Sequence, residues 1–250
     1  MRFKLRIFKG LVVTAVGAFM ASGAYATSIV LDYGSHHSGV GGEFVVKSDG
    51  TAASTAFVNA TKAHYNPLAT FNGGFETFCL EYNEHFSPGS SYEYQVSPGA
   101  IKGGQTVSDP ISVGTAYLYG LFAQGSLAGY NYSSSTSAGN LQNTIWFLEG
   151  ERNGLPAGPL IANPGTFNSL LIAQFGTLAA AQLESLTTTG GVTVNAATFG
   201  VAALNLGGGP TWPRQDQLVF QGVPVPDGGT TLILLGMAMG GLSLLRRKFV

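Results

Sequence analysis

An apolar run of only ten residues, 11–20, follows a basic start (Arg2, Lys4, Arg6, Lys9) and precedes the small-residue triplet Ala24-Tyr25-Ala26. Ten apolar residues are too short to hold a bilayer span, whereas this order suits a secretory signal removed after export. Cleavage after Ala26, with Ala24 and Ala26 as the small residues the peptidase needs, would start the mature chain at Thr27. The other end is also apolar. Residues 230–245 carry no charge, and Arg246, Arg247 and Lys248 follow at once. At about 1.5 Å per residue this stretch covers roughly 24 Å, a short membrane helix. The basic cluster would hold the C-terminus in the cytoplasm and everything before it outside. Gly236, Ala238, Gly240, Gly241 and Ser243 make the helix weakly hydrophobic, which suits temporary residence. What is left to fold is a segment of about 200 residues, enough for one core.

Removing the ends changes the charge. Residues 27–226 hold five basic residues (Lys47, Lys62, Lys102, Arg152, Arg214) against twelve acidic ones, a balance of −7. Nucleic acid, which needs a basic face, is not an expected partner.

The middle of the chain is rich in Gly, Ser, Thr and aromatics, as in extracellular β domains. Residues 28–32, 44–47, 56–59, 75–81 and 92–96 read as strands, bounded by turn signals such as Asn72-Gly73-Gly74 and Ser97-Pro98-Gly99. Residues 113–124 and 140–151 show helical spacing, separated by a Ser-rich loop over 131–139. Residues 167–175, behind Asn163-Pro164, and 178–186 read as two further helices. Strand patterns return at 192–194, 199–206 and 217–221. The expected fold is mainly β: a sandwich or barrel-like ectodomain over 27–222, with a helical insert at about 113–187. A signal helix over 1–26 and a transmembrane helix with its basic tail over 230–250 flank it. Residues 223–229 form the linker between domain and tail.

That linker contains Val225-Pro226-Asp227-Gly228-Gly229. The motif, the apolar helix and the terminal basic cluster together resemble the PEP-CTERM class of sorting signals, in the variant whose motif begins Val-Pro-Asp. The resemblance implies a Gram-negative host, often one that makes extracellular polysaccharide. It also implies transient anchoring in the inner membrane with the ectodomain in the periplasm. An exosortase-like protease would then cut near the motif, and the protein would pass to the cell surface or extracellular matrix.

There is one cysteine, Cys79. A single Cys cannot make an internal disulfide, and an exposed free thiol is a liability outside the cell. Three readings stand. It is a small buried hydrophobe, it pairs with another chain, or it is a reactive group. The third rests on two motifs, Phe78-Cys79-Leu80 and Leu141-Gln142-Asn143-Thr144-Ile145-Trp146. Together they resemble the thioester domains of Gram-positive surface adhesins. Carried over, Cys79 would be the thiol and Gln142 the acyl donor. Phe78, Ile145 and Trp146 would shield the bond from water. A surface amine or hydroxyl would then become attached through Gln142. The alternative is that strand and helix simply pack, with Gln142 capping a backbone group, since a buried amide must be hydrogen-bonded.

Other chemistry is thin. His36 and His37 are adjacent and read as a solvated loop pair; His64 and His85 are isolated. Glu76, Glu81 and Glu84 flank Cys79, and Glu84-His85 has acid–base potential, yet solvated strand ends are the expectation. Glu149 and Glu151 read as surface charges. No metal set and no cofactor pattern is expected, and no nucleophile elbow, zinc helix or phosphate loop occurs. The functional expectation is a sorted surface or matrix protein that binds or attaches to a partner and is not an enzyme. The alternatives are a secreted hydrolase acting on extracellular polysaccharide and a passive matrix component.

Overall fold

Alternation in β1 (Ser28–Tyr33) buries Ile29 and Leu31 on one side of an extended segment. β1 is central because both its edges are paired. Its partners are β2 (Phe44–Ser48) and, later in the chain, an eight-residue strand over Ser90–Ser97. After β2 comes helix α1 (Ala52–Lys62), then β3 (Thr70–Phe71), β4 (Gly74–Thr77) and β5, the strand Ser90–Ser97. Two short pairs and the helices follow: β6 (Gly99–Ala100), β7 (Asp109–Pro110), α2 (Val113–Ala123), α3 (Ser135–Leu148), α4 (Asn168–Phe175), α5 (Leu178–Ala181), β8 (Ser185–Thr187) and β9 (Thr193–Asn195). The chain returns to the sheet with β10 (Val201–Leu206) and β11 (Gln217–Phe220). This computed structural model describes residues 27–39, 41–101, 109–151, 166–187, 190–207 and 214–223. The signal segment, the sorting motif, the apolar tail and the Asn163-Pro164 helix start lie outside the described residues. Among the described residues, no helix is long and apolar enough to cross a membrane.

The fold is largely β with a few helices. Seven strands form one antiparallel sheet in the order β11-β10-β5-β1-β2-β4-β3. The strands that follow the helices therefore join the same sheet as those that precede them. β11, at one end of that order, also meets the chain that leaves β4 near the other. Leu218 N–H donates to Phe78 O (3.0 Å), and Leu80 N–H donates to Asp216 O (3.0 Å), so the segment after β4 pairs with β11. Tyr119 of α2 sits behind this seam. Its hydroxyl lies 3.0 Å from Glu76 O, 3.1 Å from Leu218 O and 2.8 Å from the Tyr65 hydroxyl, which itself accepts from Phe220 N–H.

α2 is buried nearly all round, as expected of a helix enclosed by other elements. It packs against α3, β10 and β11. Three sequence expectations fail here. The Ser-rich stretch 131–139 is not all loop: α3 starts at Ser135, behind the Ser134 cap, and ends at Leu148 rather than 151. Residues 56–59 are not a strand; they lie inside α1, which Thr51 caps by accepting from Ser54 N–H (3.3 Å). Its inward stripe is Ser54, Val58 and Thr61, spaced by four and three. Two of those three are polar, so the helical period was masked. Residues 178–186 are only half helical: α5 stops at Ala181, and β8 turns out to pair with β9.

Candidate functional site

Cys79 sits two residues beyond the end of β4, where one ladder stops and another begins. β2 and β4 pair as Val46↔Phe75, Val45↔Glu76 and Phe44↔Thr77. Continuing that register would set Gly42 opposite Cys79. The carboxamide of Gln142 is there instead. Its Oε1 accepts from the backbone N–H of both Cys79 (2.9 Å) and Gly42 (3.1 Å), and its Nε2 donates to Cys79 O (2.8 Å). Every hydrogen-bonding group of that peptide edge is thus served by a side chain acting as a strand.

α3 delivers the amide. Ser134 caps it by accepting from Ser137 N–H (3.4 Å), and Leu141, Gln142, Ile145 and Trp146 turn inward. Phe78 and Ile145 are fully buried and Trp146 is 3% exposed. Tyr82 stands edge-on to Trp146, ring centres 4.9 Å apart at 88°. The approach of α3 needs Gly41 and Gly42. A Cβ on Gly41 would lie 2.5 Å from Gln142 Cγ; one on Gly42 would lie 2.5 Å from Phe78 Cδ1. The Gly-Gly pair just before β2 is the sequence signal for this contact.

The Cys79 thiol points to a buried polar row. Its Sγ is 3.5 Å from Gln217 Nε2, which also donates to Gln215 O (3.1 Å). Burial pushes the thiol pKa well above its ordinary value, so the group is a neutral thiol at rest. Glu81 and Asp216 lie next to it in this row, both nearly inaccessible. Glu81 Oε2 accepts from Asp216 N–H (2.7 Å), and Asp216 accepts from Leu206 N–H (2.9 Å) and Ile101 N–H (2.8 Å). Desolvation, followed by the charge of Asp216, raises the Glu81 pKa well up; desolvation takes Asp216 to about 6.

The acidic residues correct the sequence reading. Glu76 and Glu81 are 1% and 2% exposed, not solvated. Glu76 forms a second buried set with Glu43, a residue the sequence did not single out. Ser35 Oγ lies 2.6 Å from Glu76 Oε1 and 3.0 Å from Glu43 Oε2, and the Tyr130 hydroxyl donates to Glu43. Burial, then the charge of Glu43, lifts the Glu76 pKa to about 7. Glu149 is no surface charge either. Its carboxylate accepts from Ser112 N–H (3.2 Å) and Oγ (2.8 Å) at the start of α2, and desolvation raises its pKa to about 7. Glu151 accepts from Tyr82 N–H (3.1 Å) and its pKa is also raised by burial. His36 lies against Ser35, its Nδ1 2.8 Å from Oγ, and His37 packs on Tyr33. Among the described residues, no three His, Cys, Asp or Glu side chains are grouped to hold a metal ion.

A cleft of about 520 Å³ is lined by Gln142, itself 1% exposed, together with Tyr82 and Trp146. Chemically, the arrangement sets a carbonyl between two backbone donors, one of which belongs to the residue that carries the thiol, beneath a cleft that Gln142 helps to line.

Residues 224–249 match the VPDSG-CTERM motif. The match covers the tail alone. It supports a PEP-CTERM-type sorting signal, which implies export, transient membrane anchoring and processing by exosortase before release. No curated protein and no solved structure matches the chain.

Proposed function

We propose that this exported, sorted surface protein attaches to its partner covalently, through a thioester between Cys79 and Gln142. The observation that carries the reading is the pair of backbone N–H groups, from Gly42 and Cys79, on Gln142 Oε1 at 3.1 and 2.9 Å. Two donors aimed at one carbonyl oxygen polarise it and stabilise the negative charge that grows there when a nucleophile adds. In the first step the Cys79 sulfur adds to the Gln142 amide carbon. The thiol proton passes to the amide nitrogen, the C–N bond breaks, and one ammonia leaves. The new bond lies among Phe78, Ile145 and Trp146, where water has little access. In the second step an amine or hydroxyl of the partner adds to the same carbonyl. The C–S bond breaks and the proton returns to Cys79. Such a bond outlasts any noncovalent contact, which suits a protein held at a surface. Nothing turns over, so this is attachment rather than enzyme catalysis.

The Nε2 bond to Cys79 O favours a second reading, in which the amide only braces the gap between strands and the protein is a passive surface component. Intact mass separates the two. Protein recovered outside the native host should be lighter by one ammonia, should gain methylamine at Gln142, and should lose both properties in Cys79→Ala. Unmodified mass, no methylamine adduct and a Cys79 thiol titratable at once on denaturation would leave the bracing role alone.

A further inference from the structure

The cleft above Gln142 has a definite chemistry. One stripe of α3 supplies Thr136, Asn140 and Asn143, spaced by four and three so that they share a helix face. Ser38 faces them from the β1–β2 connection, and the Tyr82 and Trp146 rings close one wall. At about 520 Å³ the cleft lies in the range typical of small-molecule sites. Among the described residues that line it, none is charged. Two carboxylates next to lining residues have partners of their own: Glu43 with Ser35 and Tyr130, Glu151 with the Tyr82 backbone.

We infer that this cleft is a subsite for a neutral saccharide and that the group it presents to Gln142 is a sugar hydroxyl rather than a lysine amine. An ammonium entering here gives up its hydration with no carboxylate among the lining residues to replace it, which is costly. A phosphate or uronate finds no cation among the described lining residues. A sugar hydroxyl exchanges water for the hydroxyl and amide groups of Ser38, Thr136, Asn140 and Asn143, while its C–H faces lie against the aromatic wall. Where the covalent step of the proposed function operates, the product is an ester: the sugar oxygen bonds to the Gln142 carbonyl carbon, the C–S bond breaks, and the sugar's proton goes to the Cys79 sulfur. The inference rests on that reading for the ester and stands without it for recognition.

The test uses protein recovered outside the host, as wild type and as Cys79→Ala, which cannot form a thioester. Each is titrated by tryptophan fluorescence with neutral hexasaccharides (cellohexaose, maltohexaose, mannohexaose) and with N-acetyl-lysine amide. At least one neutral oligosaccharide should bind Cys79→Ala about tenfold or more tightly than the lysine amide. Asn140→Asp, which puts a carboxylate on the exposed cleft rim, should move the preference toward the amine by a similar factor. Binding by Cys79→Ala without any loss of ammonia in wild type would remove the thioester and keep the saccharide site. A thioester that yields only the lysine adduct, or a panel in which no oligosaccharide outcompetes the amine, would overturn the saccharide assignment and leave the thioester standing.

Discussion

The Gln142 carboxamide is paired with the Cys79 peptide edge on both sides, Oε1 with its N–H at 2.9 Å and Nε2 with its C=O at 2.8 Å, across 63 residues of chain. A helix side chain thereby takes the position a strand would hold, and it brings its carbonyl carbon to the residue that carries the only thiol.

Gln142→Ala should cost stability out of proportion to its size. It strands three buried backbone groups, on Gly42 and Cys79, and each unsatisfied group costs about 1–3 kcal/mol. A total loss of roughly 3 kcal/mol or more is expected from urea unfolding, against a much smaller one for Cys79→Ala. Equal losses would mean that the amide does not brace the gap.

Gly42→Ala should act on the same contact from the other side. The added methyl overlaps the Phe78 ring and crowds Gln142 Oε1, 3.2 Å away. Overpacking of this kind costs about 1–3 kcal/mol. The shift should also lower the fraction of chains that have lost ammonia, read by intact mass. An unchanged fraction in a destabilised variant would show that the Gly42 N–H contributes nothing to the chemistry.

Stability should fall as pH rises through neutrality. Glu76 has a native pKa of about 7 against an ordinary 4.5. Between those values the folded chain keeps a proton that the unfolded chain has released. The contribution is therefore full below about 4.5 and is lost as pH climbs through about 7. Glu149, also raised to about 7, and Asp216, raised to about 6, act in the same sense. Glu76→Gln should flatten the slope between pH 5 and 7.5, with a gain on the order of 1–3 kcal/mol at the upper end. A variant with the wild-type slope in urea titrations would place the pH dependence elsewhere.

Tyr119→Phe should loosen the seam between the β4 extension and β11. The Tyr65 hydroxyl and Glu76 O lose a buried partner, worth about 1–3 kcal/mol. Hydrogen exchange should quicken first at Leu80 and Leu218, whose N–H groups close the seam. Uniform acceleration across all strands would mean that Tyr119 supports the core as a whole.

Processing has its own readout. Extracellular protein should begin at Thr27 and lack residues 230–250, by N-terminal sequencing and C-terminal peptide mapping. Replacing Arg246, Arg247 and Lys248 by Gln should reduce tail removal, because the orientation of the anchor depends on them. Full-length tail in all extracellular protein would defeat this.

What the sequence determined by itself lies where the physics is local. Alternation in β1, helical spacing over 113–124 and 140–151, and the order of strands, helices and strands follow from side-chain periods of two and 3.6, which neighbouring residues enforce; the extra turn of α3 over residues 135–139 does not. The sorting tail is legible for the same reason: a motif, an apolar stretch and a basic cluster act through their order along the chain. The tertiary structure decided everything that depends on distant partners. α1 exists as an amphipathic helix because Ser54 and Thr61 find a buried surface, which their polar character concealed. Glu76, Glu81 and Asp216 resemble solvated carboxylates until residues 41, 135 and 115 positions away cover them and supply their hydrogen bonds. Cys79 and Gln142 could be named from their motifs, but only the fold brought them together. Their meeting requires the β2–β4 ladder to stop at Phe44, so that Gly42 stays unpaired with Cys79, and α3 to pass close enough for an amide to fill the opening.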